Sequence, residues 1–315
     1  MSTNGFSHVY GPVPSRRLGR SLGIDLVPFK VCTYDCVYCQ LGRTTQKTME
    51  RREYVPVEAI VPELERALSH GAPPDYIGLA GSGEPTLNSG IGRLIRAIKK
   101  VTRVPVAVLT NGSLLWMKSV QDELMAADLV VPSLDAGDEN TFRRVNRPHG
   151  DIAFGTMTEG LVNFTERFDG DVWLEVLLLA GETGTDAHVK KIAALAEQIG
   201  PDRIQLGTVI RPPAETDAGS LSSERLVALK GLFSGLVELI GKGAAEGSMT
   251  AVLSGTRTES VLAMLGRRPC TAADVAGGLN IHINEALKHL DRLMVGGKAR
   301  PTVVGGRHFY TVAER

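Results

Sequence analysis

Cys32-Thr33-Tyr34-Asp35-Cys36-Val37-Tyr38-Cys39 is the most chemically concentrated stretch of this chain, with three of its four cysteines. Three thiolates at this spacing can converge on one iron–sulfur cube while the short connectors wrap it. A cube has four irons, and the loop supplies three ligands. The remaining thiol, Cys270, lies more than two hundred residues downstream, in what reads as a different domain. One iron is therefore left for a ligand that is not protein. A zinc site normally takes four Cys or His ligands in pairs, and no second CxxC or HxxxH accompanies this loop. A disulfide is less expected still, because no signal peptide opens the sequence and cytosolic thiols stay reduced.

The chain has 315 residues, enough for one large domain and a small one or for two of middling size. Hydrophobic residues make up 43% and charged ones 22%, with 35 basic against 35 acidic side chains. Such a balance is ordinary for a soluble protein and argues against bulk affinity for nucleic acid. No apolar run approaches the ~20 residues that a membrane span needs. The sequence therefore predicts a cytoplasmic protein with no membrane partner.

Around the cysteine loop, apolar periodicity alternates. Residues 10–23 contain prolines, glycines and arginines and predict an extended, irregular arm. Strands are expected at 22–27, 76–80, 104–109, 127–133, 172–179 and 204–209. Helical patterns are expected at 57–68, 91–101, 114–125, 154–168, 189–199 and 226–240. Near-continuous apolar strands separated by helices imply a parallel sheet buried on both faces, an α/β fold. The cysteine loop then sits at the C-terminal end of the first strand, where such architectures place their chemistry. Arg16, Arg17 and Arg20 of the arm either reach an anionic substrate or are solvated or paired with carboxylates. Glu175, in an otherwise apolar strand, is costly unless paired, so it reads as a structural ion pair or a site group.

The CX3CX2C spacing, with Tyr38 just before the last cysteine, resembles the signature of the radical S-adenosylmethionine (radical SAM) superfamily. That resemblance implies a partial (β/α)6 barrel and a 4Fe–4S cluster held by Cys32, Cys36 and Cys39. It further implies S-adenosylmethionine, with Tyr38 among the cofactor-binding residues, on the open iron. An electron from a donor such as flavodoxin or ferredoxin then splits the sulfonium, and the resulting 5'-deoxyadenosyl radical removes hydrogen from an unactivated C–H bond.

Gly81-Ser82-Gly83-Glu84-Pro85-Thr86, after the second expected strand, lets a backbone pass close to a ligand with the Glu84 carboxylate beside it. It resembles the family's GGE motif, which hydrogen-bonds the amino group of S-adenosylmethionine; Ser82 stands in place of a glycine. The family also sets polar groups for the ribose and the methionine carboxylate at strand ends. Asn111, Ser133 and Asp135 occupy such ends here, although Asn-Gly turns and N-caps use the same residue types. Arg211, at the tip of the sixth strand, is expected to hold a carboxylate of cofactor or substrate. Residues 138–149, with Asn146-Arg147-Pro148-His149, predict a polar loop that carries substrate contacts.

From about residue 255 the pattern changes to three helices and a hairpin turning at Gly305-Gly306, resembling a winged helix-turn-helix. The expected division is 1–245 for the barrel with its arm and 246–315 for this small domain. From 255 onward, nine Lys and Arg stand against five Asp and Glu, a net +4. The expected recognition helix carries only Lys288, His289 and Arg292, which does not compel operator-type DNA binding. Cys270 reads as a small core residue.

The arm, the cysteine loop and Asn146-Arg147-Pro148-His149 most resemble a group of bacterial and archaeal radical SAM proteins. These are distantly similar to the wybutosine-synthesis enzyme that modifies tRNA and to glycyl-radical-enzyme activases. The sequence therefore predicts a radical SAM enzyme acting on an unidentified substrate, an RNA, peptide or protein docked by the small domain. The alternative is an iron–sulfur redox sensor that reads DNA, a role with no use for Ser82 to Glu84 and polar strand ends around a pocket.

Overall fold

The computed structural model describes residues 8–15, 17–69, 72–240, 257–279 and 281–313. Arg16 and the expected division between 245 and 246 lie outside these residues. The described residues begin with a hairpin, β1 (Val9–Ser15) and β2 (Gly19–Asp25), followed by the short pair β3 (Val31–Cys32) and β4 (Gln46–Lys47). Then come α1 (Val57–Leu68), β5 (Tyr76–Ala80), a 3-10 turn (Pro85–Leu87), α2 (Ile91–Val101), β6 (Val106–Thr110) and α3 (Lys118–Leu124). The central part continues through β7 (Leu129–Pro132), α4 (Glu139–Val145), α5 (Phe154–Arg167) and β8 (Asp171–Leu178). It ends with α6 (Asp186–Ile199), β9 (Arg203–Thr208), α7 (Ser223–Lys230) and β10 (Val237–Ile240).

The main sheet has the order β1-β2-β5-β6-β7-β8-β9-β10. Every pairing from β2 to β10 is parallel, and β1 alone runs antiparallel. Ile24, Ile77, Leu79, Val106, Val108, Val130, Leu174 and Val176 face outward into one large core with the helices. Their strand neighbours Ala107, Leu129, Val131 and Trp173 face inward and meet one another and Leu18 in a second, smaller cluster. Inner faces of several strands reach a common cluster when the sheet curves. β1 and β10 end the sheet without pairing with each other, so it forms a partial barrel.

The arm is more regular than expected: it is a hairpin that adds an antiparallel strand to the sheet. The pattern over 226–240 does not stay helical. Gly231 and Gly235, the latter at φ +82°, interrupt it, and Val237 to Ile240 becomes a seventh parallel strand in register with Ile204 to Gly207. Leu226, Leu229, Phe233 and Val237 are buried at helix-like spacing, which is why periodicity misread that end. The expected helix over 114–125 begins only at Lys118. Within the expected polar loop, Glu139 to Val145 forms a helix capped by Asp138, whose side chain accepts from the Thr141 N–H.

Beyond residue 256, α8 (Arg257–Arg267), α9 (Ala272–Leu279) and α10 (Ile283–Val295) precede the hairpin β11 (Ala299–Val304) and β12 (Arg307–Val312). Gly305 and Gly306 turn that hairpin at φ +55° and +72°, values open to glycine without strain. This module has its own core, built on Val261, Leu265, Val275, Ala286, Leu290 and Leu293, and Cys270 is buried within it. No helix among the described residues is long and apolar enough to cross a membrane.

Gly160 sits on the buried face of α5, where an added Cβ would run into the Trp116 backbone. In an open helix Gly→Ala is favourable; here we expect Gly160→Ala to cost about 1–3 kcal/mol. Chemical denaturation measures it, and an unchanged or raised midpoint would contradict this packing.

Candidate functional site

The cysteine loop leaves β2 through buried Leu26 and Val27 and turns at Lys30, whose φ of +59° is unusual for a residue with a side chain. Backbone bonds Cys39 N to Cys36 O and Gly42 N to Cys39 O, each 3.1 Å, coil the loop into successive turns. The segment 145–149 forms a rail along it. Val37 N donates to Val145 O at 3.0 Å, Asp35 N to Asn146 O at 3.1 Å, and His149 N to Thr33 O at 2.8 Å. Much of the expected substrate loop therefore buttresses the cysteines.

Cys32, Cys36 and Cys39 are half-buried free thiols, and each has a nitrogen donor. Lys30 Nζ lies 3.1 Å from Cys39 Sγ, Asn111 Nδ2 3.6 Å from Cys32 Sγ, and Asn146 Nδ2 3.7 Å from Cys36 Sγ. Lys30 is itself buried, so its ammonium is committed to this site. Burial, and then the Glu84 charge, push the Cys32 thiol up to about 12. Cys36 is raised by burial and then by its neighbours Cys39 and Cys32. A metal cation bound here would replace the protons of these thiols.

That donor set fits an iron–sulfur cluster. Thiolates are its ligands, each iron of a cube takes its own thiolate, and N–H donors to sulfur set its potential. Among the described residues, no three His, Cys, Asp or Glu side chains gather tightly enough to hold a single metal ion. Cys270 stays apart: its thiol is buried in the C-terminal module and donates to Arg268 O at 3.4 Å.

Two buried carboxylates tie the strand tips to the loop. Glu84 Oε1 accepts from Thr86 N, Thr86 Oγ1 and Thr110 Oγ1 at 3.0, 2.6 and 2.7 Å, and Oε2 from Asn111 N at 2.8 Å. Its side chain therefore turns into the protein, with both oxygens held by neighbouring donors. The main chain of this turn is bonded to the cysteine loop. Lys30 N donates to Ser82 O at 2.6 Å and Glu84 N to Val31 O at 3.1 Å. A Cβ on Gly83 would collide with the Val31 carbonyl, so glycine is required for this approach.

Asp135 Oδ2 accepts from the Tyr38 hydroxyl and, at 3.0 Å, from Asn146 Nδ2; Oδ1 accepts from Leu177 N at 2.9 Å. Burial raises the Asp135 carboxyl, and these donors oppose that rise. Because the Asn146 amide nitrogen faces this acceptor, its Oδ1 points the other way, buried and without a partner. Unmatched buried acceptors are rare in folded proteins. Beside this network, Val145, Leu179, Val209 and Ala218 pack with Val37, Tyr38 and Leu177 in an apolar wall.

Tyr38, Glu84, Asn111 and Asp135 thus come together around the cysteines. Asn111 spends its amide on Thr33 Oγ1 (2.8 Å) and Cys32, and its carbonyl oxygen on Ser113 N (2.9 Å). Ser133 lies at the β7 tip, bridged to Glu175. Ser82 Oγ turns to Asp25 Oδ1 at 3.3 Å. Arg211 sits at the rim and reaches Gln40 Oε1 at 3.4 Å and Asp274 Oδ1 at 3.8 Å. Arg17 pairs with Glu175, the structural alternative for both. Arg20 turns to the Ala72 carbonyl at 3.1 Å and does not approach the loop. The sequence reading missed Lys30, Asp25 and Thr110; a lysine two residues before the first cysteine, amid apolar neighbours, was the available signal.

The sequence profile of the Radical SAM superfamily matches residues 26–196. A protein named GTPase Obg from Brachyspira hyodysenteriae is 37% identical over 305 residues, 96% of this chain, which spans only 45% of that relative's length. A UPF0026 protein of Methanocaldococcus jannaschii is 33% identical, with 96% of this chain matching 94% of it. Among solved structures, Streptococcus suis SuiB bound to S-adenosylmethionine superimposes with a TM-score of 0.53 at 15% identity, over 70% of this chain and 51% of that one. At that identity the likeness is one of fold.

Removing the ammonium beside Cys39 takes positive charge and a hydrogen bond from the sulfur. Lys30→Met should therefore lower the midpoint potential of the iron–sulfur-loaded protein by roughly tens of millivolts, with Lys30→Arg closer to the parent. Potentiometric titration followed by electron paramagnetic resonance measures it, and equal potentials would remove Lys30 from the site.

Proposed function

Because this chain belongs to the radical SAM superfamily, an enzyme family whose cofactors are a 4Fe–4S cluster and S-adenosylmethionine, we propose that Cys32, Cys36 and Cys39 hold the cluster. Together, when bound, the two cofactors supply a 5'-deoxyadenosyl radical able to take hydrogen from an unactivated C–H bond. The observation that carries the assignment is the trio of thiols, each with its own nitrogen donor, while Cys270 belongs to a different core.

The protein's own part is to bind, orient and exclude water. Lys30, Asn111 and Asn146 draw negative charge from the sulfurs. The main chain of Ser82 to Glu84 receives the amino group of S-adenosylmethionine, with Glu84 holding that turn in shape from behind. Tyr38 stands beside the cofactor with its hydroxyl fixed by Asp135, and the unpartnered Asn146 Oδ1 accepts a hydroxyl or ammonium hydrogen from the ligand. Ser133, at the β7 tip, and Arg211, at the rim, complete the polar surroundings. Val37, Leu177, Leu179 and Val209 pack into an apolar wall beside Tyr38 that keeps bulk water from this side of the site.

The C-terminal helices and hairpin form, on this reading, a winged-helix domain joined to the barrel between 245 and 246. It docks a macromolecular substrate, an RNA, peptide or protein, and a cytoplasmic flavodoxin or ferredoxin supplies the electron. A redox-sensing regulator would leave the convergence of Ser82 to Glu84, Asn111 and Asp135 on the cysteine loop without a purpose.

Reconstituted anaerobically with iron and sulfide, the chain should show the broad absorption of a 4Fe–4S cluster and, with dithionite, release 5'-deoxyadenosine from S-adenosylmethionine. Cys36→Ala should lose both. An intact cluster that releases no 5'-deoxyadenosine would overturn the proposal.

A further inference from the structure

The carboxylate of Asp25 ends β2 and is largely buried. Its Oδ1 accepts from Ser82 N at 3.0 Å and Ser82 Oγ at 3.3 Å, so it holds the turn that carries Gly83 and Glu84. Gly81, at φ +115°, lies so close that any Cβ there would overlap the same carboxylate. Oδ2 is taken by the guanidinium of Arg267, the last residue of α8 in the C-terminal module. Burial raises the Asp25 carboxyl, and Arg267 is the foremost influence opposing that rise. The same guanidinium lies over the Tyr10 ring, 4.0 Å from its centroid, and that ring fills the space left by the missing side chain of Gly23.

A second tie reaches the opposite side of the barrel. Asp274 of α9, held by Thr271 N and Oγ1 at 2.9 Å each, faces Arg211 at the β9 tip, which also contacts Gln40 next to Cys39. Because β2 and β9 lie near the two ends of an unclosed sheet, the module bridges the barrel's open side. The sequence had suggested a separable docking domain; these contacts wire it to the residues around the cofactor.

We infer that the C-terminal module is a wall of the cofactor site and that Arg267 is a positioning residue, acting through Asp25 to hold the Ser82–Glu84 turn in the form that binds S-adenosylmethionine. This rests on the proposed function. The turn is clamped from two sides: Lys30 and Val31 of the cysteine loop hold its main chain, and Asp25 holds Ser82. Only the second clamp depends on the C-terminal module. Without Arg267, Asp25 is a buried carboxylate lacking its cation, and it relaxes by moving towards water and away from Ser82.

The test uses the full-length, cluster-loaded chain and the S-adenosylmethionine dependence of dithionite-driven 5'-deoxyadenosine release. Arg267→Ala should raise the half-saturating concentration about tenfold or more, with the rate at saturation near that of the parent. A merely structural loss would instead lower the saturating rate and leave half-saturation in place. Asp25→Ala should show the same shift, and Asp25→Ala with Arg267→Ala should be no worse than the more severe single change, because both break one linkage. Arg267→Lys should restore most of the affinity, and Lys298→Ala, at an exposed position of the same module, should change nothing. Should the alanine chain not fold, Arg267→Gln carries the same comparison. An unchanged half-saturation in Arg267→Ala or Arg267→Gln, or additive effects in the double variant, overturns the inference while leaving the proposed function standing. A parent chain with a full cluster that neither binds nor cleaves S-adenosylmethionine overturns both.

Discussion

Three thiols crowded into one half-buried loop cannot all ionise beside one another unless a cation holds them. Burial raises the thiols of Cys32 and Cys36, with the Glu84 charge adding to the first and the neighbouring cysteines to the second, and a bound metal cation would offset these costs. The surroundings serve this requirement. A buried ammonium and two side-chain amides point at sulfur, and the 145–149 rail and β4 keep the loop from splaying. A loop of this kind would be mobile alone; here its shape is imposed by the strand tips beneath it.

Those tips are organised by three buried carboxylates, Asp25, Glu84 and Asp135. In each, burial raises the carboxyl and hydrogen-bond donors from the protein oppose it. Groups of this kind invite a reading as acids or bases, yet their oxygens are occupied. Glu84 joins the second and third parallel strands to each other, Asp135 joins the fourth to the cysteine loop, and Asp25 joins the first to the Ser82 turn and the C-terminal module. They act as staples between strand tips, loop and module. Removing any one partner from such a group is costly, which makes the site rigid before a ligand arrives.

The sequence was most legible where chemistry is local. Three cysteines in one loop announce themselves by spacing, and the parallel α/β character shows in long apolar strands. The seventh parallel strand was hidden because Leu226, Leu229, Phe233 and Val237 mimic a helix face, and only the glycines between them break it. Glu84 and Asp135 were legible as polar residues at strand ends, but not the direction of their side chains, since their partners Thr110, Asn111 and Leu177 come from other strands. Lys30 and Arg267 were hidden for the same reason. Their roles depend on contacts across 9 and 242 residues of chain, and periodicity carries no information about such pairings.

The central claim is that three protein thiolates leave one iron of the cube for S-adenosylmethionine. Mössbauer spectroscopy of the reconstituted, iron-enriched chain, recorded before and after S-adenosylmethionine is added, addresses it directly. One iron in four should change its signal while the other three stay as they were. Four irons that respond alike or not at all, or iron bound as single ions, would contradict the account.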